Sequence, residues 1–263
     1  METETGIVIF GSSILLHSAL LFISKHVLKN KFTSITNNQS LWSAANWSVS
    51  FLQATLATLV GFSAVLYTRS DILHTQLSFL KPYAWFSVGY WFYDLICLYV
   101  IVSMERKDTS RGLITNIINF IQWWPGIVFH HIGILVFLSL GILYTSRVRG
   151  DGIVGFSLLM ELSSIFVALR SLLAKLELKS TKLYLQVSII MVITFFFSRI
   201  FLLPYVVYLY CSQSNLGLLE GIYSLPILCK LGTFSFYSLN LYWFYLMLKG
   251  CVKAIKNGGI KND

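Results

Sequence analysis

The chain has 263 residues, of which 56% are hydrophobic and only 12% charged, and its formal net charge at pH 7 is +9. Soluble domains carry roughly a quarter charged residues, so this composition and a mean hydropathy of +0.71 exclude an ordinary soluble protein. The basic residues are spread over the loops between apolar runs rather than gathered in one motif, which argues against a nucleic-acid partner.

Seven apolar runs follow one another along the chain. They cover residues 6–24, 47–67, 83–103, 126–145, 153–170, 184–210 and 225–248. Since about 20 apolar residues cross a bilayer as a helix, we expect an all-α, polytopic membrane helical bundle with about seven transmembrane helices. The fifth run is short and glycine-flanked, so a tilted or re-entrant segment is also compatible with it. The first run follows an acidic start and is expected to be a retained signal anchor.

The lysines and arginines are distributed unequally between the two sides of the predicted membrane. Arg69, Lys81, Arg147 and Arg149 fall on one side, Arg199 and Lys230 lie within spans, and the other fourteen of the 20 share the opposite side. The positive-inside rule places the fourteen in the cytosol, so we expect a lumenal N-terminus and a cytosolic C-terminus. The glycosylation sequons at Asn38 and Asn46 then face the cytosol and are expected to be unmodified.

His130 and His131 lie together inside the apolar run WPGIVFHHIGILVFL, which spans residues 124–138. Titratable rings at membrane depth are costly, so they need partners or a function. Adjacent helical positions point about 100° apart, so the two rings have different surroundings. A neutral imidazole beside a carboxylate suits general-base catalysis near pH 7. Neighbouring histidines chelate one ion poorly, and the four scattered cysteines lack metal-ligand spacing, so we expect no metal.

Four further polar side chains fall inside apolar runs: Gln53 in the second, Asp94 in the third, Glu161 in the fifth and Arg199 in the sixth. An unpaired charge at the bilayer centre costs about 3 kcal/mol, so the ionisable ones must pair or be neutral and face the interior of the protein. Two interpretations stay open. The residues form an ion pair and a neutral acid that hold helices together, or they line a cavity.

These residues occur in the order and at the spacing of the TLC domain, which is named for TRAM, Lag1 and CLN8 proteins and is found in ceramide synthases. The motifs that carry the resemblance are WFYDL with Asp94, VFHHIGIL with His130 and His131, MELSS with Glu161, and FFSRIFLLP with Arg199. The chain looks closest to the small FAM57-type proteins, through residues 147–169 and 223–255. The resemblance divides the chain into an N-terminal transmembrane helix with a cytosolic loop (1–39), a TLC domain (40–250) and a short basic cytosolic tail (251–263).

The resemblance implies six helices around a tunnel open to the membrane, with one extra helix before them. It also implies ceramide synthase-like transfer of an acyl group from acyl-CoA, the one co-substrate expected, to the amine of a sphingoid base. By position His130, His131 and Asp94 are the expected catalytic residues, and Glu161, Arg199, Gln53 and Tyr90 are expected to bind substrate. The expected location is the endoplasmic reticulum membrane, with plasma membrane or Golgi as alternatives. The resemblance leaves open a homo-oligomer.

The sequence departs from the resemblance at two points, which keep the alternatives open. Gln53 stands where FAM57-type proteins have a histidine, and the further aspartates of ceramide synthases are missing. A non-catalytic lipid-binding protein that regulates membrane lipid composition is therefore the second hypothesis. A seven-helix receptor is disfavoured, because the last run has Ser238-Leu-Asn-Leu-Tyr rather than Asn-Pro-x-x-Tyr and a receptor leaves the buried histidines unexplained.

Overall fold

The computed structural model describes residues 3–32, 37–106, 112–144 and 150–256, and the regular elements in these ranges are all helical. They are α1 (Thr3–Lys31), α2 (Asn38–Thr68), α3 (Leu80–Arg106), α4 (Leu113–Trp123), α5 (Pro125–Tyr144), α6 (Asp151–Leu159), α7 (Leu162–Lys175), α8 (Lys182–Phe195), α9 (Leu202–Gln213), α10 (Leu218–Ser224) and α11 (Ile227–Lys256), with a π-helical turn at Phe196–Phe201 between α8 and α9. The predicted all-α, polytopic membrane class is confirmed.

Fewer helices than expected are apolar enough to cross a membrane. Among the described residues five single segments qualify by length and composition: Glu4–Lys31, Asn38–Thr68, Leu80–Met104, Asp151–Lys175 and Lys182–Gln213. A sixth is added if α4 and α5, which meet at a bend of 104°, count as one broken span. The seventh predicted run is helix α11, in which Lys230, Ser238 and Asn240 interrupt the apolar residues. By this criterion the part of the chain that the structure describes holds five such segments, or six if the bent pair counts as one span.

The fifth predicted span is longer than the sequence indicated. Helices α6 and α7 together cover Asp151–Lys175, which is 25 residues. At 1.5 Å per residue this segment reaches about 37 Å, enough to cross the hydrocarbon core. The helical pattern is interrupted only at Met160 and Glu161, between α6 and α7.

The chain divides into two compact units. The first consists of Met1–Gln53 and Leu77–Val148, and the second of Ala54–Gln76 and Arg149–Asp263. Helix α2 contributes its first half to the first unit and its second half to the second.

Helix α3 is the central element of the first unit, because α1, α4 and α5 all pack against it. The two helices approach closely at Gly89, where a Cβ atom would lie 2.6 Å from the carbonyl oxygen of Phe10 in α1. The Ser13 hydroxyl of α1 donates a hydrogen bond to the Phe86 carbonyl of α3 at 2.7 Å. Small residues and interhelical hydrogen bonds are the usual means of helix association in a membrane, where no hydrophobic effect draws helices together.

In the second unit the end of α2 packs against α6 through small residues. A Cβ atom at Gly61 would lie 2.7 Å from the backbone nitrogen of Leu159, and one at Gly155 would lie 2.7 Å from the Cβ of Ala64. The backbone N–H of Gly152 donates to the carbonyl of Ile72 at 3.2 Å. The absence of side chains at Gly61 and Gly155 is therefore what lets the two helices approach.

The loop after α2 is organised by one carboxylate. Asp71 Oδ1 accepts hydrogen bonds from the backbone N–H groups of His74 at 2.9 Å and Leu73 at 3.0 Å. These bonds, the one from His74 first, hold the pKa of the Asp71 carboxyl below its ordinary value. The side chain of Gln213 in α9 accepts a hydrogen bond from the N–H of Ile72 at 2.9 Å. This bond connects the loop to α9 within the second unit.

The sixth predicted span is a single segment of 32 residues, Lys182–Gln213, interrupted by the π-helical turn. Pro204 lies just after this turn and lacks the N–H that would donate to residue 200 in a regular α-helix. A π-turn widens the helix locally and often coincides with functional positions. The regular helix is thus broken upstream of Pro204, and α9 continues beyond the proline.

We predict that Gly61→Val lowers the thermal midpoint of the detergent-solubilised protein. The added side chain collides with backbone atoms of α6, and such overpacking costs about 1–3 kcal/mol of unfolding free energy. Gly11→Val on α1 is the matched control, since no atom lies within 4 Å of a Cβ built there. Equal midpoints for the two variants would contradict the close α2–α6 contact.

Candidate functional site

The first unit holds a buried pair between α3 and α5. His131 Nε2 lies 2.8 Å from Asp94 Oδ2, and each side chain is only 10% exposed. His131 Nδ1 lies 2.9 Å from the carbonyl oxygen of Ile127, one turn earlier on α5. The structure therefore brings together two of the three predicted catalytic residues.

This geometry determines how the pair holds its protons. A carbonyl oxygen can only accept, so Nδ1 of His131 carries a hydrogen. Between Nε2 and Asp94 there is one further proton, which belongs either to the ring or to the carboxyl group. Both forms leave the pair neutral overall, which is how two titratable groups can be buried together at low cost. Because both ring nitrogens are engaged, His131 must give up a bond before it can contact a substrate directly.

His130 has different surroundings from His131, as the 100° offset predicted. Its ring meets the Trp91 ring edge-on at 5.7 Å, and it meets the His131 ring in the same way at the same distance. Trp91 also contacts His131 at 5.2 Å. One indole thus contacts both imidazoles, and His130 is buried beside the Asp94–His131 pair.

Asn46 of α2 completes the environment of the carboxylate. Its Nδ2 donates to Asp94 Oδ1 at 2.9 Å, and its Oδ1 accepts from the Tyr93 hydroxyl at 3.1 Å. Asp94 therefore has a partner at each oxygen, and the amide fixes its orientation relative to α3. The sequon at Asn46 is buried within a helix, and its side chain is occupied by these two bonds.

A second polar group in the same unit is centred on His17 of α1. Its Nδ1 lies 2.7 Å from the Ser13 carbonyl oxygen, and its Nε2 lies 3.4 Å from Gln53 Oε1. Gln53 Nε2 in turn donates to the Tyr83 hydroxyl at 3.2 Å. The predicted binding residue Tyr90 is buried against the His17 ring at 5.0 Å. Gln53 and Tyr90 therefore both lie against an imidazole that no sequence hypothesis had used.

The two polar groups of the first unit are joined through aromatic rings. The His17 ring lies 5.7 Å from the ring of Tyr93, whose hydroxyl donates to Asn46. His17 could have been found by the reasoning that singled out His130 and His131, since it is also a titratable ring inside an apolar run. Asn46 was considered only as a sequon, because it lies one residue before the predicted second span.

The second unit contains the other two predicted binding residues, Glu161 and Arg199, and they form an ion pair. Arg199 Nη2 donates to Glu161 Oε1 at 3.1 Å and to Ser164 Oγ at 2.8 Å. Its Nε donates to Ser163 Oγ at 2.9 Å, and its Nη1 reaches Asn240 Oδ1 at 3.5 Å. The guanidinium thus links the π-turn to α7 and α11, as the ion-pair interpretation expected.

Glu161 reaches Arg199 because of the break between α6 and α7. It occupies the cap position before α7, where the helical hydrogen bonding is interrupted. Its side chain is 15% exposed and that of Arg199 is 7% exposed. A buried pair of this kind is neutral as a unit and holds helices in register. Glu161 and Arg199 therefore both have a structural role.

In the part of the chain that the structure describes, no three His, Cys, Asp or Glu side chains are grouped so that they could hold a metal ion. The first unit brings imidazole, carboxylate, amide and phenol groups together. Such groups can move a proton and orient a polar lipid headgroup.

Asn46→Ala should destabilise the protein by about 1–3 kcal/mol, the usual cost of leaving buried hydrogen-bonding groups unsatisfied. The substitution removes one partner from Asp94 and one from Tyr93. Asn30→Ala is the control, because Asn30 is exposed and its amide contacts the exposed His26. The measurement is the thermal midpoint in detergent, and an Asn46 variant as stable as the Asn30 variant would contradict the described contacts.

Glu161→Ala should cost about 3–5 kcal/mol, because it leaves the Arg199 guanidinium buried without a counter-charge. Glu220→Ala is the matched control, since Glu220 is exposed on α10. Chemical denaturation of the purified protein compares the two. A small, equal effect of both substitutions would mean that Arg199 is solvated rather than paired.

The model of the TLC domain matches residues 43–249, which is most of the chain. No solved structure matches it. The order of Asp94, the histidine pair, Glu161 and Arg199 had led to the same family, and that prediction is confirmed. The chain is a member of the TLC-domain family of membrane proteins.

Proposed function

We propose that this TLC-domain protein acts on membrane lipids in sphingolipid metabolism by ceramide synthase-like acyl transfer. The acyl donor is acyl-CoA, and the acceptor is the amine of a sphingoid base. The observation that carries the proposal is the buried Asp94–His131 pair, with His130 beside it. The endoplasmic reticulum, a lumenal N-terminus and the likeness to FAM57-type proteins belong to the same proposal.

The reaction requires two proton transfers that these groups are suited to perform, one from the amine and one to the leaving thiolate. The amine nitrogen attacks the thioester carbonyl carbon, a C–N bond replaces the C–S bond, and the amine gives up a proton. The departing thiolate takes a proton and leaves as the thiol of CoA. A positioned imidazole can accept the first proton and supply the second. Because both ring nitrogens of His131 are engaged, we assign direct contact with the substrate to His130. The Asp94–His131 pair is assigned as the neighbouring group that stores a proton.

A place for an apolar chain supports lipid as the substrate class. The first unit has an open apolar groove of about 500 Å³, lined by Phe10, Val88, Phe92, Leu135, Val136 and Ser139. Leu135 lies one helical turn after His131 on α5. A fatty chain in this groove would bring its polar end toward the histidines, which is the arrangement that a lipid acyl transfer needs.

The second candidate function is lipid binding without turnover, in the regulation of membrane lipid composition. One observation favours it: His131 is committed at both ring nitrogens, as a structural histidine would be. Under this hypothesis Asp94 and His131 bind a polar headgroup or hold α3 to α5, and no covalent bond changes.

The acyl-transfer proposal is tested with the purified protein in phosphatidylcholine vesicles, supplied with sphinganine and palmitoyl-CoA. We expect dihydroceramide, measured by mass spectrometry, and a loss of about a hundredfold or more in rate for His130→Ala with His131→Ala. Asp94→Asn should lower the rate with little change in folding, because the amide keeps the shape of the carboxyl group.

His26→Ala is the control for the histidine variants, since His26 is exposed on α1. If the double variant turns over as fast as the unmodified protein, the assigned mechanism is wrong. If the unmodified protein makes no product but retains sphinganine through purification, and Asp94→Asn abolishes that retention, the binding function replaces the enzymatic one.

A further inference from the structure

Helix α4 carries an exposed stripe of isoleucines. Ile114, Ile117, Ile118 and Ile121 are 75%, 41%, 49% and 43% exposed. Their spacing of three, four and seven residues places them on one face of the helix. An apolar face of this kind is unfavourable in water, so the stripe requires a covering.

The other faces of α4 have different surroundings. Phe120 packs with Val102 and Val128, and Trp123 contacts the same cluster, so this side holds α4 to α3 and α5. Thr115 and Gln122 are exposed polar residues, offset from the isoleucines. The helix therefore has one packed face, one polar face and one isoleucine face.

The direction of α4 follows from its junction with α5. The two helices meet at a bend of 104°. Pro125, the first residue of α5, lacks an N–H and disfavours helical geometry at Trp124, which ends α4 before the new helix begins. When α5 runs across the bilayer, a helix bent by about a right angle runs along its surface. Trp123 and Trp124 then lie at the boundary, where tryptophan is enriched.

We propose that α4 is an in-plane interfacial helix whose isoleucine face is immersed in the phospholipid leaflet that α5 enters. The occupant is lipid rather than protein, because exposed apolar residues continue from α4 onto α5 at Phe129, Ile132 and Val136. Lys107 and Arg111 precede α4 in the sequence and suit the anionic headgroups of such a surface. The proposal stands independently of the acyl-transfer chemistry.

The interfacial helix sets the depth of the candidate site. With Pro125 at the membrane boundary, His131 lies six residues further along α5, or about 9 Å deeper. The histidine pair is then below the headgroups and above the bilayer centre. A ligand of the histidine pair would reach that depth through the lipid leaflet. Its polar end would lie near the membrane surface, as the polar end of a single-chain amphiphile does.

The test is site-directed spin labelling of the full chain in vesicles of phosphatidylcholine and phosphatidylglycerol. A spin-labelled non-natural amino acid, which leaves the four native cysteines untouched, replaces each of the four isoleucines in turn. Thr115 and Gln122 are the matched positions on the polar face. We expect collision with oxygen to exceed collision with a water-soluble nickel complex several-fold at the isoleucines, and the ratio to reverse at the two controls.

Other outcomes overturn the proposal. Water accessibility at all six positions means that α4 stands away from the bilayer. Burial of all six at bilayer depth means that α4 enters the membrane as part of a re-entrant segment. Protection of the isoleucines from both reagents means that a protein surface, including a second copy, covers them.

A second measurement uses the unmodified protein, so that it does not depend on the folding of labelled variants. A phospholipid with a diazirine near its headgroup is activated in the same vesicles, and the modified residues are mapped by mass spectrometry. Adducts on the isoleucine face of α4 are expected. Adducts on Phe129 and Ile132 without any on α4 contradict the proposal.

Discussion

The structure depends on one constraint: an ionisable side chain inside a membrane helix must find a partner within the protein. Asp94 meets this constraint through His131 and Asn46, and Arg199 meets it through Glu161. Each pair is neutral as a unit and joins helices far apart in sequence. In a lipid environment, where apolar surfaces gain little by meeting each other, such pairs and the glycine contacts are what select one arrangement of helices. The polar residues that invite a functional interpretation are therefore also those that hold each unit together.

The two pairs differ in what they can do beyond holding helices. Arg199 donates to four side chains, so it has little freedom to change partner. Asp94 and His131 share a proton that can belong to either group, and an edge-on Trp91 brings a second imidazole beside them. A site that transfers a proton needs this kind of mobile charge. This is why the first unit, and not the second, is the candidate for chemistry.

Sequence reasoning predicted the helical class, the family and the residues of both pairs, because the cost of burying charge is visible in a single sequence. It did not predict which acid meets which base. Glu161 pairs with Arg199, and this pairing depends on the break between α6 and α7, which a single sequence does not show. Helix α4 and the bend at Trp124 were also missed, because residues 113–123 lie between the third and fourth apolar runs of the sequence. Amphipathic helices that lie on a surface lack the long apolar run by which spans are recognised.

Helix α1 contributes to the interior of the first unit in addition to being the anchor that its sequence suggested. It lies outside the residues matched by the TLC domain, which begin at position 43. Yet His17 of α1 contacts Gln53, Tyr90 and Tyr93, and so reaches the polar groups around Asp94. Gln53 has no titratable group, whereas the His17 imidazole that it contacts is one. The first unit thus gathers polar side chains from α1, α2, α3 and α5. Helix α1 therefore packs into the interior of the first unit, where its titratable ring is buried among these partners.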